Sequence, residues 1–200
     1  MNHRIGFLAT AVTALVMVTG CSSGGAENAA AEPKPAASSS PAMADGPFGS
    51  ACSAVPADGE GSFTGMADDP VATAASNNPV LSTLVTAVKQ AGLVDTLNSA
   101  KDVTVFAPTN DAFAAIPKET LDKVLADKAM LTKILTYHVV AGKKAPADLA
   151  AAELTTLQGG TVSAKGSGES YTVNDAKVVC GNVPTANATV YIIDKVLMPS

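Results

Sequence analysis

Large apolar side chains are spread unevenly along the chain. An uncharged apolar run spans Ile5–Val18, a stretch nearly free of large apolar residues continues to Gly49, and patterned segments fill the remainder. The first half of that remainder carries helical periodicity. Val80, Leu81, Leu84, Val85 and Val88 recur at the i, i+3/i+4 spacing of one buried face. Asn78-Pro79 opens this helix as cap and first-turn proline, and Gly92 is placed to end it in a left-handed conformation. Asp69-Pro70 gives the same cap-and-proline signal for an earlier helix, and Leu93, Val94 and Leu97 predict a short one after the Gly92 turn. Helices are also predicted over Lys118–Leu125 and Asp127–Tyr137. In the latter, Leu131, Ile134, Leu135 and His138 share a face and Asp127 is the cap. Ala147–Ala152 reads as one or two further helical turns.

The second half changes period. Leu154–Leu157, Thr161–Ala164, Tyr171–Val173, Lys177–Val179 and Thr189–Val196 are rich in β-branched or apolar residues. Gly159-Gly160, Gly166-Ser167-Gly168 and Asn174-Asp175 punctuate them as turns. An earlier strand, Val103–Ala107, stops at Pro108 and must join a sheet built from distant sequence. On the last strand Val190, Ile192, Asp194 and Val196 lie on one face and Tyr191, Ile193 and Lys195 on the other, which predicts a central position. Asp194 reads as a position near the strand end or a local hydrogen-bond acceptor. Helices early and hairpins late make an α+β domain.

The apolar run changes the picture of where the chain works. Arg4 precedes it, it is shorter than the ~20 residues of a membrane span, and Val18-Thr19-Gly20-Cys21 closes it. That ending resembles a bacterial lipobox, which implies cleavage before Cys21 and acylation of that cysteine. Residues 1–20 are therefore read as a lipoprotein signal peptide, with a plain export signal as the alternative. Residues 21–50 read as a flexible, disordered Ala/Ser/Pro-rich tether that cannot bury enough surface to order itself, with Ser38-Ser39-Ser40 as a candidate glycosylated stretch. Residues 51–200 form one domain.

Loss of residues 1–20 leaves 12 basic and 18 acidic residues, a net charge of −6. Such a product lacks the basic face that nucleic-acid binding needs, so no nucleic-acid partner is expected. Attachment to a membrane would rest on lipid at Cys21 alone. The other cysteines, Cys52 and Cys180, are too far apart for a CxxC motif. In an oxidising compartment they are expected to pair with each other, the alternative being two inert thiols.

Three segments carry a family resemblance. TVFAPTNDAF (Thr104–Phe113) and ATVYIIDKVLMP (Ala188–Pro199) resemble the two signature segments of fasciclin domains, and Tyr137-His138-Val139 resembles the tyrosine–histidine motif between them. With the lipobox and tether, the chain resembles the lipidated and secreted mycobacterial fasciclin-domain surface antigens. The resemblance covers residues 65–200 and implies a single α+β domain, a wedge of β-strands flanked by several short helices. It implies a non-enzymatic adhesion or protein-interaction module at the cell surface, lipid-anchored or shed, facing an unknown surface or host protein. An acylated Cys21 would further imply Toll-like receptor recognition of the lipopeptide. Tyr137 and His138 are the candidate interaction motif. The Asp-Ile element that animal fasciclin proteins are known to use in integrin adhesion is replaced here by Gly181-Asn182-Val183-Pro184.

The candidate chemistry outside this resemblance is sparse. His138 is the one histidine beyond residue 20, and with no GxSxG elbow or second ligand set it predicts neither a hydrolase nor a zinc site, so no cofactor is expected. The expected role of its imidazole is a backbone hydrogen bond that holds the following strand, and Tyr137 is expected in the core with its hydroxyl paired. The alternative function is a carrier that holds a small apolar or lipid ligand between helices and sheet. Asn187-Ala188-Thr189 fits a glycosylation pattern by chance, and Asp68-Asp69 reads as a helix cap before it reads as a calcium site.

Overall fold

The computed structural model describes residues 46–199. The segments expected to be the signal peptide and most of the tether, with Cys21, lie outside the described residues. Helices α1 (Phe63–Asp68), α2 (Val71–Asn77), α3 (Ser82–Ala91) and α4 (Val94–Ser99) precede the first strand, β1 (Val103–Pro108). Then come α5 (Asn110–Ala114), α6 (Lys118–Ala126), α7 (Lys128–Tyr137) and β2 (Val139–Ala141). The chain ends in β3 (Ala151–Thr155), β4 (Thr161–Ser167), β5 (Ser170–Val173), β6 (Ala176–Pro184) and β7 (Ala188–Ile193).

Local signals account for most helix ends. Asn78 accepts from the Val80 N–H at 3.1 Å, ahead of a 3-10 turn at Pro79–Leu81 that leads into α3. Gly92 ends α3 at φ 72°, the left-handed conformation expected of it. Asp127 caps α7 by accepting from the Ala129 and Met130 N–H groups. Thr109 caps α5 by accepting from the Ala112 N–H at 3.2 Å. Asn110 instead reaches back and accepts from the Thr83 N–H at the start of α3.

The seven strands form one mixed sheet in the order β2-β1-β7-β6-β5-β4-β3, with β1 and β7 parallel and the other pairs antiparallel. The last strand is central, as its two apolar faces predict. The expected wedge curls until its edges nearly meet: Val140 of β2 bridges Thr156 just past β3, and the Leu157 N–H donates to the Val139 carbonyl at 2.7 Å. This curl creates two cores. Val103, Val105, Ala107, Val190 and Ile192 face the helices with Leu84, Val88, Leu131 and Leu135. Phe106, Tyr191, Ile193, Val162 and Val173 fill the inside of the curl.

Three sequence expectations need correction. Asp69 does not cap α2: it ends α1, and Pro70 stands at the N-cap position. The first N–H groups of α2 go to distant side chains, Val71 to Asn187 Oδ1 (2.8 Å) and Ala72 to Asn98 Oδ1 (3.0 Å). Ala147–Ala152 yields only a 3-10 turn, Pro146–Leu149, before the chain extends into β3. The folded unit also begins earlier than residue 51. Phe48 is buried in the inner core, where its ring packs on Tyr171 and Tyr191, and its backbone pairs with Gly181. Composition hid it, because its neighbours are small residues, glycine and proline.

Candidate functional site

The tyrosine–histidine pair sits where α7 runs into β2, and both side chains point inward, with Tyr137 4% and His138 3% exposed. The Tyr137 hydroxyl donates to the Thr161 carbonyl at 2.8 Å and accepts from Asn174 Nδ2 at 3.4 Å. His138 Nδ1 lies 2.8 Å from the Ile134 carbonyl, which can only accept, and Nε2 lies 2.9 Å from the Leu197 N–H, which can only donate. The ring is therefore the neutral Nδ1–H tautomer. Burial pulls its pKa down to about 4, against a smaller upward pull from the Ile134 hydrogen bond. Its carbonyl also accepts from the Phe106 N–H, so one residue ties α7, β1 and the C-terminal segment together. With both nitrogens committed, His138 has none left to activate a serine. The pair that the sequence singles out organises the fold and presents no surface.

The stretch Gly181–Pro184 lies within β6 and is partly covered by the chain's own N-terminal segment. The Phe48 ring sits over Gly181, where a Cβ would come 2.5 Å from the ring. Asn182 takes φ 56° and donates to the Gly46 carbonyl. The disulfide Cys52–Cys180, with Cα atoms 4.9 Å apart, fastens this strap beside the bulge.

Asn187 is a structural residue that periodicity could not reveal. Its Oδ1 serves the α2 N-terminus, and its Nδ2 reaches the Leu97 and Ala100 carbonyls, each at 2.8 Å. The side chain that matches a glycosylation pattern is thus consumed in joining α2, α4 and the β6–β7 turn. Asp194 is the local acceptor expected of it, taking the Lys177 N–H at 2.7 Å.

Two concavities could hold a ligand. An apolar cavity of about 50 Å³ lies between α2, α3 and the sheet, lined by Met66, Leu84, Val88, Val105, His138 and Ile192 among others. Ligand pockets usually measure ~300–1,000 Å³, so this space is well below that range. A groove of about 630 Å³ opens between the β4–β5 hairpin, β6 and the strap, edged by Lys165, Glu169, Thr172, Lys177 and Ser50. Among the described residues no three His, Cys, Asp or Glu side chains gather as a metal set, and no helix is long and apolar enough to cross a membrane.

Residues 79–199 match the family model described as Fasciclin domain. The chain is 54% identical over 146 residues to the immunogenic protein MPB70 of Mycobacterium bovis, covering 70% of this chain and 75% of that protein. To the cell surface glycolipoprotein MPT83 of Mycobacterium tuberculosis it is 46% identical over 205 residues, covering 94% and 92%. Among solved structures, the fold is similar to a FAS1 domain pair from the insect cell adhesion molecule fasciclin I, with a TM-score of 0.51 and 24% identity. That match covers 59% of this chain, which spans 45% of the insect chain.

Proposed function

The chain belongs to the fasciclin-domain family, and on that premise we propose that it is a lipid-anchored surface protein whose folded head is a non-enzymatic adhesion or protein-interaction module. The observation that carries this is the extent of the MPT83 match. It covers 94% of the chain, well beyond residues 79–199 that the family model matches, and the relative is named a cell surface glycolipoprotein. The lipobox Val18–Cys21 supplies the chemistry: cleavage before Cys21, then acylation. One acyl chain holds a protein only marginally, whereas two hold it stably. The Cys52–Cys180 disulfide suits the same oxidising, extracytoplasmic setting.

The head presents its partner, a protein on a host or neighbouring cell, with strand edges and loops, since Tyr137 and His138 are inside. The acylated N-terminal peptide is in addition a ligand for Toll-like receptors. The carrier reading has weaker support, because the space between helices and sheet is only about 50 Å³.

Beads coated with residues 46–200 test the head, because this segment keeps Phe48. They are expected to bind intact host or neighbouring cells, to lose that binding when the cells are protease-treated, and to be competed by the soluble protein. Binding no greater than that of albumin-coated beads would refute the interaction reading. For the lipid, an N-terminal peptide made without acyl chains should fail to signal where the acylated one does, and equal signalling would remove the lipid from that role.

A further inference from the structure

The last residues of the chain are held to the body by a single main-chain link. Asp194, just past β7, donates its N–H to the Lys177 carbonyl at 3.0 Å. Beyond it, the only main-chain hydrogen bond among the described residues runs from the Leu197 N–H to His138 Nε2, at 2.9 Å. We infer that His138 is an acid-sensitive latch on this segment: a proton taken up at Nε2 frees residues 195–199 and admits water to the ring while the rest of the fold stays closed. This goes beyond the interaction-module reading and does not depend on it.

The two ring nitrogens respond differently to acid. Nδ1 already donates to the Ile134 carbonyl at 2.8 Å, and protonation of the ring leaves that bond in place. Nε2 is an acceptor, so a proton there makes it a second donor and sets it against the Leu197 N–H. The His138 carbonyl keeps the Phe106 N–H, at 2.8 Å, in either state of the ring. Acid therefore cuts the link to the C-terminal segment and spares those to α7 and β1.

While the segment is in place, nothing beside the ring can stabilise a charge. His138 and Leu135 wall two apolar cavities, one of about 50 Å³ toward α2 and α3 and one of about 20 Å³ toward α5 and α6. No other titratable side chain lines either of them. The charged residues of the packed elements are exposed: Lys89 on α3, Asp111 on α5, Lys118, Glu119, Asp122 and Lys123 on α6, and Lys128 and Lys133 on α7. α2 and β1 carry none. In the segment itself Lys195 is exposed, and Asp194 accepts from the Lys177 N–H. The segment also provides the cover. Leu197 is buried in the inner core, Val196 and Met198 complete the smaller cavity, and Met198 is 44% exposed.

Proton linkage sets the size of the effect. Under the segment, burial holds the pKa of the ring down to about 4; a ring released into water returns to 6.5. The released form therefore takes the proton first as pH falls. Its ratio to the closed form rises about 25-fold between pH 7.5 and 5, and levels off below about pH 4. Release bares Leu197 and the wall of the smaller cavity, including Phe113 and Leu131, so the head presents a more apolar face in acid.

The test is native-state hydrogen exchange of the 15N-labelled, disulfide-bonded protein, corrected for the intrinsic exchange rate and read at the Leu197 and Phe106 amides with and without sub-denaturing urea. Leu197 is expected to exchange faster than Phe106, through an opening that urea does not promote, and to lose about 25-fold in protection from pH 7.5 to 5. His138→Gln should remove that pH dependence, because a side-chain amide takes up no proton in this range. A chain that ends at Asp194 gives an independent reading. With Phe106 still protected, its His138 should titrate near 6.5 by NMR, where the full chain titrates at about 4. Four results would each overturn the latch: Leu197 exchanging only through the urea-promoted unfolding that frees Phe106, protection that does not change with pH, the same pH dependence in His138→Gln, or a His138 that stays near 4 in the shortened chain.

Discussion

At the scale of single residues, stability rests on side chains that bond to backbone far away in sequence. Asn187 joins Val71 N–H to the Leu97, Asn98 and Ala100 carbonyls, so Asn187→Ala leaves four backbone groups without that partner. The expected cost is about 2–4 kcal/mol, read as a lower urea midpoint with faster hydrogen exchange at Val71. Asn187 is also expected to stay unmodified if the chain is passed through a glycosylating secretory route. His138 is neutral in the fold, with its pKa lowered from 6.5 to about 4. As pH falls, the unfolded chain takes up the proton first. Stability from this group is therefore full above about pH 6.5, declines between 6.5 and 4, and changes no further below that. The loss across the window is roughly 3 kcal/mol. His138→Gln is expected to be less stable at neutral pH and to flatten that part of the pH profile, measured by urea unfolding. An unchanged slope in the variant would assign the acid sensitivity to carboxylates.

At the scale of elements, the strap is the feature with the clearest consequence. Phe48 packs on Tyr171 and Tyr191 and is held by the neighbouring disulfide. Phe48→Ala should cost about 3–5 kcal/mol by opening a cavity, and loss of the Cys52–Cys180 link about 2–5 kcal/mol. Reduction is expected to speed hydrogen exchange at Phe48 and Gly181 before it affects β1 or β7. Simultaneous loss everywhere would show that the strap does not open by itself. The elements that could be read from the sequence are those specified locally. Asn78, Gly92 and Asp127 mark helix ends with their own side chains or backbone, and β7 shows its central place by apolar residues on both faces. What could not be read depends on partners supplied by the fold. The cap of α2 comes from Asn187, more than a hundred positions away. β6 runs on through Gly181-Asn182, beyond the Lys177–Val179 strand that the pattern predicts, with a bulge that makes room for Phe48. The tyrosine–histidine motif was visible as a pattern, yet its inward orientation follows from the meeting of α7, β1 and the C-terminal segment.

At the scale of the whole molecule, the sheet curls around an aromatic inner core while its outer face takes the helices, and the central strand β7 serves both cores. The N-terminal strap, residues 46–52, joins this body at β6, next to the central strand β7. That arrangement suits a head held at a surface by its N-terminus. Intact-mass spectrometry of the native protein from its own cells tests the central claim most directly. The expected product is a chain that begins at Cys21, carries acyl chains on that residue and is recovered with the membrane. A chain that begins at Met1, unacylated and recovered from the cytosol, would contradict it.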